Sequence, residues 1–215
     1  MESEDQIILI DKPAGISSFG VVAKARAKLR DEFCHKIKVG HTGTLDPFAT
    51  GLLILLSGKM TKKSNDFLKL DKTYEATLKL GYTSTTGDPE GEITKTQGSK
   101  QPTLENIKLV TQSFIGTIAQ TPPRFSAIKI NGQRAYKLAR QNKDFTIPSR
   151  NITIYNIEIL NYNYPELKIR VHCSSGTYIR TLAEDLGKKL GTGAYLTALR
   201  RIQIGDYSIT DATML

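Results

Sequence analysis

Five consecutive apolar residues, Leu52 to Leu56, lie near the end of the stretch GHTGTLDPFATGLLILLSG, which runs from Gly40 to Gly58. The run is the length of one strand and far short of the ~20 apolar residues that a membrane-crossing helix needs. Just upstream stands one carboxylate, Asp46, with Leu45 before it and Pro47 and Phe48 after it. An acid in a solvent loop usually keeps polar neighbours. This one is set between a glycine-dotted turn and an apolar strand, which implies that the chain needs a carboxylate at one fixed place.

Around that stretch the hydrophobic patterning alternates between strand and helix. QIILID reads as a strand and KPAG as a turn, after which Ser17 or Ser18 caps a helix through about Leu29. A helix is expected from Lys59 to Leu70. KTYEATLKLG places Tyr74, Ala76, Leu78 and Leu80 on one face and Glu75, Thr77 and Lys79 on the other, the period of a half-buried strand. TSTTGDPEGE is a turn-rich connection, and Thr103 caps a helix to about Phe114. RNITIYNIEILNYN and LKIRVHCS are long strands joined by a turn at Pro165, and a helix runs from Thr177 to about Lys189. The closing stretch offers Leu196, Leu199 and Ile202 as core residues. Long antiparallel-looking strands with helices between them predict an α+β fold, with a mixed, mainly antiparallel central sheet flanked by helices. No second-domain boundary is visible, so residues 1–215 are expected to form one domain.

Between Thr117 and about Arg150 the pattern departs from the core. A Pro-Pro break, a short strand FSAIKI, an Asn131-Gly132 turn and a basic helical segment follow one another. This reads as an excursion that presents Arg124, Lys129, Arg134 and Arg140 to something acidic. The formal net charge of +9 points the same way, because a basic surface attracts phosphates. Phosphoryl-transfer chemistry finds no apparatus. The glycines near Asp46 do not form GxGxxG, and GxxxxGK[ST] does not occur. The acidic start MESEDQ is unlike a signal peptide, so a cytoplasmic location is expected. Cys34 and Cys173 make no disulfide framework. Each adjoins a histidine, but zinc ligands are generally two or more residues apart, so both are expected to be half-buried structural cysteines without a metal.

A carboxylate taken out of water needs a partner, and arginine is the best planar, permanently charged one. CSSGTYIRTLAEDLG offers Arg180 at a helix start, although physics alone leaves that pairing one among many. Six blocks in order, IDKPAGISS, HTGTLDPFATGLL, DKTYEATLKLG, PPRFSAIKINGQRAYKLAR, CSSGTYIRTLAEDLG and LTALRR, resemble the TruB family of tRNA pseudouridine synthases over nearly the whole chain.

The resemblance implies a pseudouridine synthase fold and an isomerase that detaches uracil from its ribose and reattaches it through carbon 5, without a cofactor. Its implied target is uridine 55 in the T arm stem-loop of tRNA. Asp46 would be the nucleophile, toward sugar or base, and Arg180 its ion-pair partner. Tyr74 would stack on the target base and help move a proton, with Leu199 packed beside it. His41 would fill the gap left by the flipped base. The excursion, about 117–150, would be the family's thumb insertion closing on the RNA. Taken singly, each residue has a plainer reading: a turn cap, a strand tyrosine, a turn histidine, a surface ion pair, a core leucine. Two features depart from the family pattern. The chain ends soon after LTALRR, at ITDATML, where many relatives continue into a small RNA-binding domain, so no separate C-terminal domain is expected. Ser175 stands where a lysine is common. A monomer without an obligatory protein partner is expected. The competing readings are a guide-RNA-dependent synthase of the dyskerin type, and an RNA chaperone that folds tRNA without modifying it.

Overall fold

A computed structural model describes residues 3–214. In chain order its elements are β1 (Ile7–Lys12), α1 (Ser18–Phe33), β2 (Val39–His41), β3 (Thr50–Ser57), a 3₁₀ segment (Gly58–Lys63), α2 (Ser64–Lys69), β4 (Lys72–Leu80), β5 (Tyr82–Ser84) and β6 (Ile93–Lys95). They continue with α3 (Leu104–Gln112), β7 (Gly116–Gln120), β8 (Lys129–Ile130), β9 (Gln133–Arg134), α4 (Ala135–Arg140), β10 (Arg150–Asn163) and β11 (Glu166–Cys173). The last are α5 (Ile179–Lys189), β12 (Ala194–Ile204), β13 (Tyr207–Ser208), a 3₁₀ turn (Ile209–Asp211) and β14 (Thr213–Met214).

Contacts divide the chain into two units, Met1–Glu75 with Leu199–Leu215, and Ala76–Ala198, so β4 and β12 each contribute residues to both. In the first unit the strand order is β14-β1-β3-β12, with β2 on β3 and β13 on β12. β3 explains its own composition. Leu53 and Leu55 pack with Val21, Val22 and Leu29 of α1, while Leu52, Ile54 and Leu56 pack with Phe67 and Ile204. Both faces are covered, so the strand is an unbroken apolar run instead of an alternating one. It lies antiparallel to β1 and β2 and parallel to β12, where Arg201 is in register with Gly51. Gly51 is required there: its φ is +105°, and a Cβ would lie 2.3 Å from the Arg201 carbonyl oxygen.

The second unit carries the order β12-β4-β11-β10-β7, with β10 antiparallel to both β11 and β7. Leu78, Leu80, Ile154, Leu167, Ile169 and Val171 are fully buried along these strands, and α3 packs against β10 and α5. The Asn131-Gly132 turn joins β8 to β9, with φ of 48° and 83° at its two central residues, as tight hairpins require.

Most expected elements form, with six differences. The segment from Thr117 does not leave the core at once, because Gly116–Gln120 pairs with β10 as β7. Of the expected strand FSAIKI only Lys129–Ile130 is extended. The helix expected over 59–70 is a 3₁₀ segment followed by the short α2. The α1 helix, capped by the Ser17 hydroxyl, which accepts from the Gly20 amide, runs on to Phe33 and ends at Cys34 in the left-handed conformation. The cysteines are not half-buried: Cys34 is exposed at that helix end, and Cys173 is fully buried at the end of β11. Along β12, Leu199 and Arg201 share strand parity, so Arg201 takes the buried place and Ile202 is only partly buried. Among the described residues, no helix is long and apolar enough to cross a membrane, and no group of three or more His, Cys, Asp or Glu side chains gathers where a metal could be held.

Candidate active site

The segment from His41 to Ala49, between β2 and β3, carries Asp46 and is braced from several elements of the first unit. The Thr42 amide donates to the Ile54 carbonyl at 3.0 Å. The buried Ser18 hydroxyl, one residue into α1, donates to the Leu45 carbonyl at 2.9 Å and accepts from the Leu45 amide at 2.8 Å. On the far side of Asp46, the Pro47 carbonyl accepts from the Gly15 amide at 2.8 Å and from the Lys12 ammonium at 3.2 Å. Lys12 is fully buried and donates as well to the carbonyls of Pro13 and Ile16. Within the turn the Ala49 amide donates to the Asp46 carbonyl. The backbone is therefore held one residue before and one residue after Asp46, which is the preorganisation a fixed carboxylate needs. Asp46 is itself half-buried. His41, the last residue of β2, accepts from the Gly43 amide at Nδ1 (3.3 Å). Tyr74 and Leu199, on β4 and β12, are buried at 9% and 7% exposure.

Arg180 opens α5 in the second unit and is also buried. One terminal nitrogen donates to the Asp88 carboxylate at 3.1 Å and to the Thr86 carbonyl at 3.0 Å; the other donates to the Phe125 carbonyl at 2.8 Å. Both side chains of the Arg180–Asp88 pair are at most 5% exposed. Asp88 is fixed in turn by the Thr86 hydroxyl and the Glu90 amide. Beside this cluster, burial pushes the Glu184 carboxyl above the usual carboxylate range, while Lys188 and Arg180 draw it back. Nothing local marks Asp88 as buried, because TSTTGDPEGE reads as a turn-rich connection. Lys12 and Arg201 lie inside IDKPAGISS and LTALRR, but nothing local marks a lysine or an arginine in a strand as buried.

In the excursion, three of the four named basic side chains turn back on their own segment. Arg124 donates to the Lys143 carbonyl at 2.8 Å and lies over the Phe145 ring at 4.8 Å, and Arg134 donates to the Ala127 carbonyl. They brace the excursion, and Lys129 is exposed on β8. Arg140 lies over the Tyr136 ring.

Residues 30–179 match the model of the TruB family pseudouridylate synthase N-terminal domain, and residues 180–215 match that of the tRNA pseudouridylate synthase B C-terminal domain. The chain belongs to the TruB family. Pseudouridine synthases are isomerases, and the TruB reading carries that class with it. Among relatives, the tRNA pseudouridine synthase B of Phocaeicola vulgatus is 47% identical over 209 residues, covering 97% of this chain and 89% of the relative. That of Nitrosospira multiformis is 50% identical over 214 residues, covering 97% and 67%. Among solved structures, a Cbf5-Nop10-Gar1 complex superposes with a TM-score of 0.71 at 28% identity, covering 99% of this chain. An H/ACA RNP bound to a substrate RNA superposes at 0.70 and 25% identity. This TruB chain spans about half the length of those two solved chains, 52% and 51%.

Proposed function

We propose that this TruB protein converts uridine 55 in the T arm of tRNA to pseudouridine, with Asp46 as the nucleophile. The observation that carries the reading is the braced turn on which Asp46 sits, in a chain whose family isomerises uridine in RNA. The reaction breaks the bond between N1 and the ribose C1′, turns the uracil and forms a bond from C5 to C1′. A proton leaves C5 and one is gained at N1, so no external reactant is needed. The Asp46 carboxylate attacks the sugar or the base to hold one fragment while the other turns. Arg180 is a catalytic residue carried by the second unit, where Asp88 holds its guanidinium. A base must leave its stack to react, and Tyr74 and Leu199 supply the flat and apolar surfaces it then needs. His41 occupies the space the base vacates. The excursion closes on the T loop by shape and backbone contacts, as RNA loops are commonly recognised. The protein acts in the cytoplasm as a monomer.

Relatives named tRNA pseudouridine synthase B, which this chain matches at 47% and 50% identity, support this over the guide-RNA-dependent reading, whose solved examples match at 25% and 28%. The test is pseudouridine formation in an unmodified tRNA transcript, mapped to the nucleotide, with wild type and Asp46→Asn side by side. Modification at position 55 by the wild type, lost in Asp46→Asn with tRNA binding retained, is the expected result. Turnover by Asp46→Asn would remove the nucleophile assignment; binding without modification by the wild type would favour the chaperone.

A further inference from the structure

Arg201 is among the largest fully buried side chains, at 2% exposure. Its Nε donates to the Leu52 carbonyl at 2.8 Å, and a terminal nitrogen donates to the Gly43 carbonyl at 3.3 Å. One side chain on β12 thus joins β3 to the turn that carries Asp46. Gly43 passes the link on, because its amide donates to His41 Nδ1. The parallel register of Arg201 with Gly51, where no Cβ intervenes, holds the root of the side chain against β3.

A side chain kept only for packing would be better apolar. Moving a guanidinium out of water is unfavourable unless its donors are used, and hydrophobic residues of similar volume are often equally or more stable in place of buried charges. A planar fork that spans two carbonyls is something neither leucine nor lysine provides. We propose that Arg201 is a positioning residue: by holding the Gly43 carbonyl it fixes the His41–Asp46 turn in the geometry from which Asp46 reacts. It completes the bracing of that turn, to which Ser18 contributes from α1 and Lys12 from β1. The inference rests on the reading of Asp46 as nucleophile.

The test combines amide hydrogen exchange across Thr42–Ala49 with single-turnover kinetics on an unmodified tRNA transcript, for wild type, Arg201→Met and Arg201→Lys. In Arg201→Met, exchange at the turn is expected to quicken by about tenfold or more, since local opening sets exchange rates. The single-turnover rate should fall by a similar factor, with tRNA affinity within about twofold and the melting temperature within about 5 °C of wild type. Arg201→Lys, which keeps the charge but not the fork, should fall between the two. Unchanged exchange and rate in Arg201→Met overturn the proposal, as does a rate loss matched by an equal loss of tRNA affinity. If Arg201→Met does not fold, Arg201→Lys decides: wild-type exchange and rate overturn the proposal, and a slower rate at an unchanged melting temperature supports it. The exchange measurement needs no turnover. A wild type inactive on tRNA would therefore overturn the proposed function, while faster exchange in the variants would still support the brace.

Discussion

Glu184 lies one helical turn beyond Arg180 on α5, and it is packed so closely against the backbone turn before Asp88 that a Cβ on Gly87 would meet its carboxylate oxygen at 2.5 Å. Burial is the largest influence on its carboxyl and raises it; Lys188 and Arg180 lower it, and Asp185 and Asp88 raise it. A carboxyl whose folded-state pKa lies above its unfolded value contributes stability that is fully present below the unfolded value and lost as the pH rises through the folded one. Glu184→Gln keeps the neutral shape at every pH. Thermal melts should therefore give similar midpoints for variant and wild type near pH 4, and a higher midpoint for the variant near pH 8, since carboxyls ordinarily titrate around 4. A variant less stable than wild type at pH 8 would contradict this, and would mean that the attraction to Lys188 and Arg180 outweighs the cost of burial. The neighbouring Asp88 is as buried as Arg180 and accepts from the guanidinium, the Thr86 hydroxyl and the Glu90 amide.

Strands β3 and β12 meet through a glycine, and that contact organises the first unit. With a φ of +105° and the Arg201 backbone where a Cβ would go, position 51 is closed to any side chain. Gly51→Ala combines overpacking with a strained backbone, each worth about 1–3 kcal/mol. The variant should lose at least about 2 kcal/mol of unfolding free energy in urea titration; a loss below about 0.5 kcal/mol would mean that the pairing relaxes to admit the methyl group. The β3 run itself was readable as a strand from composition and length. That both of its faces are covered became evident only from α1 on one side and Phe67 and Ile204 on the other. The basic excursion shows a similar division. Its turn and helix follow from Asn131-Gly132 and the sequence after it, but the inward use of Arg124 and Arg134 does not, because a carbonyl acceptor or an aromatic ring leaves no mark on the arginine that finds it.

For the molecule as a whole, the net charge of +9 sets how it meets a polyanion. Each phosphate neutralised releases counterions, so the logarithm of the tRNA association constant should fall linearly with the logarithm of salt concentration. Lys129→Ala, which removes an exposed cation from the excursion, should weaken binding across tRNA sequences and make that slope shallower by about 1, measured by filter binding at several salt concentrations. An unchanged slope would exclude Lys129 from phosphate contact. The sequence by itself determined the order and kind of the main elements, the basic character and the blocks that carry the TruB membership, because these depend on local periodicity, turn chemistry and residue identity. Only the tertiary structure decided which charges are buried. Arg201 finds its acceptors 149 and 158 positions away, Arg180 finds Asp88 at 92, and Lys12 finds Pro47 at 35. A charged side chain enters a core only where the fold brings acceptors within hydrogen-bond reach, and no local pattern in the chain records which distant carbonyl or carboxylate will be there.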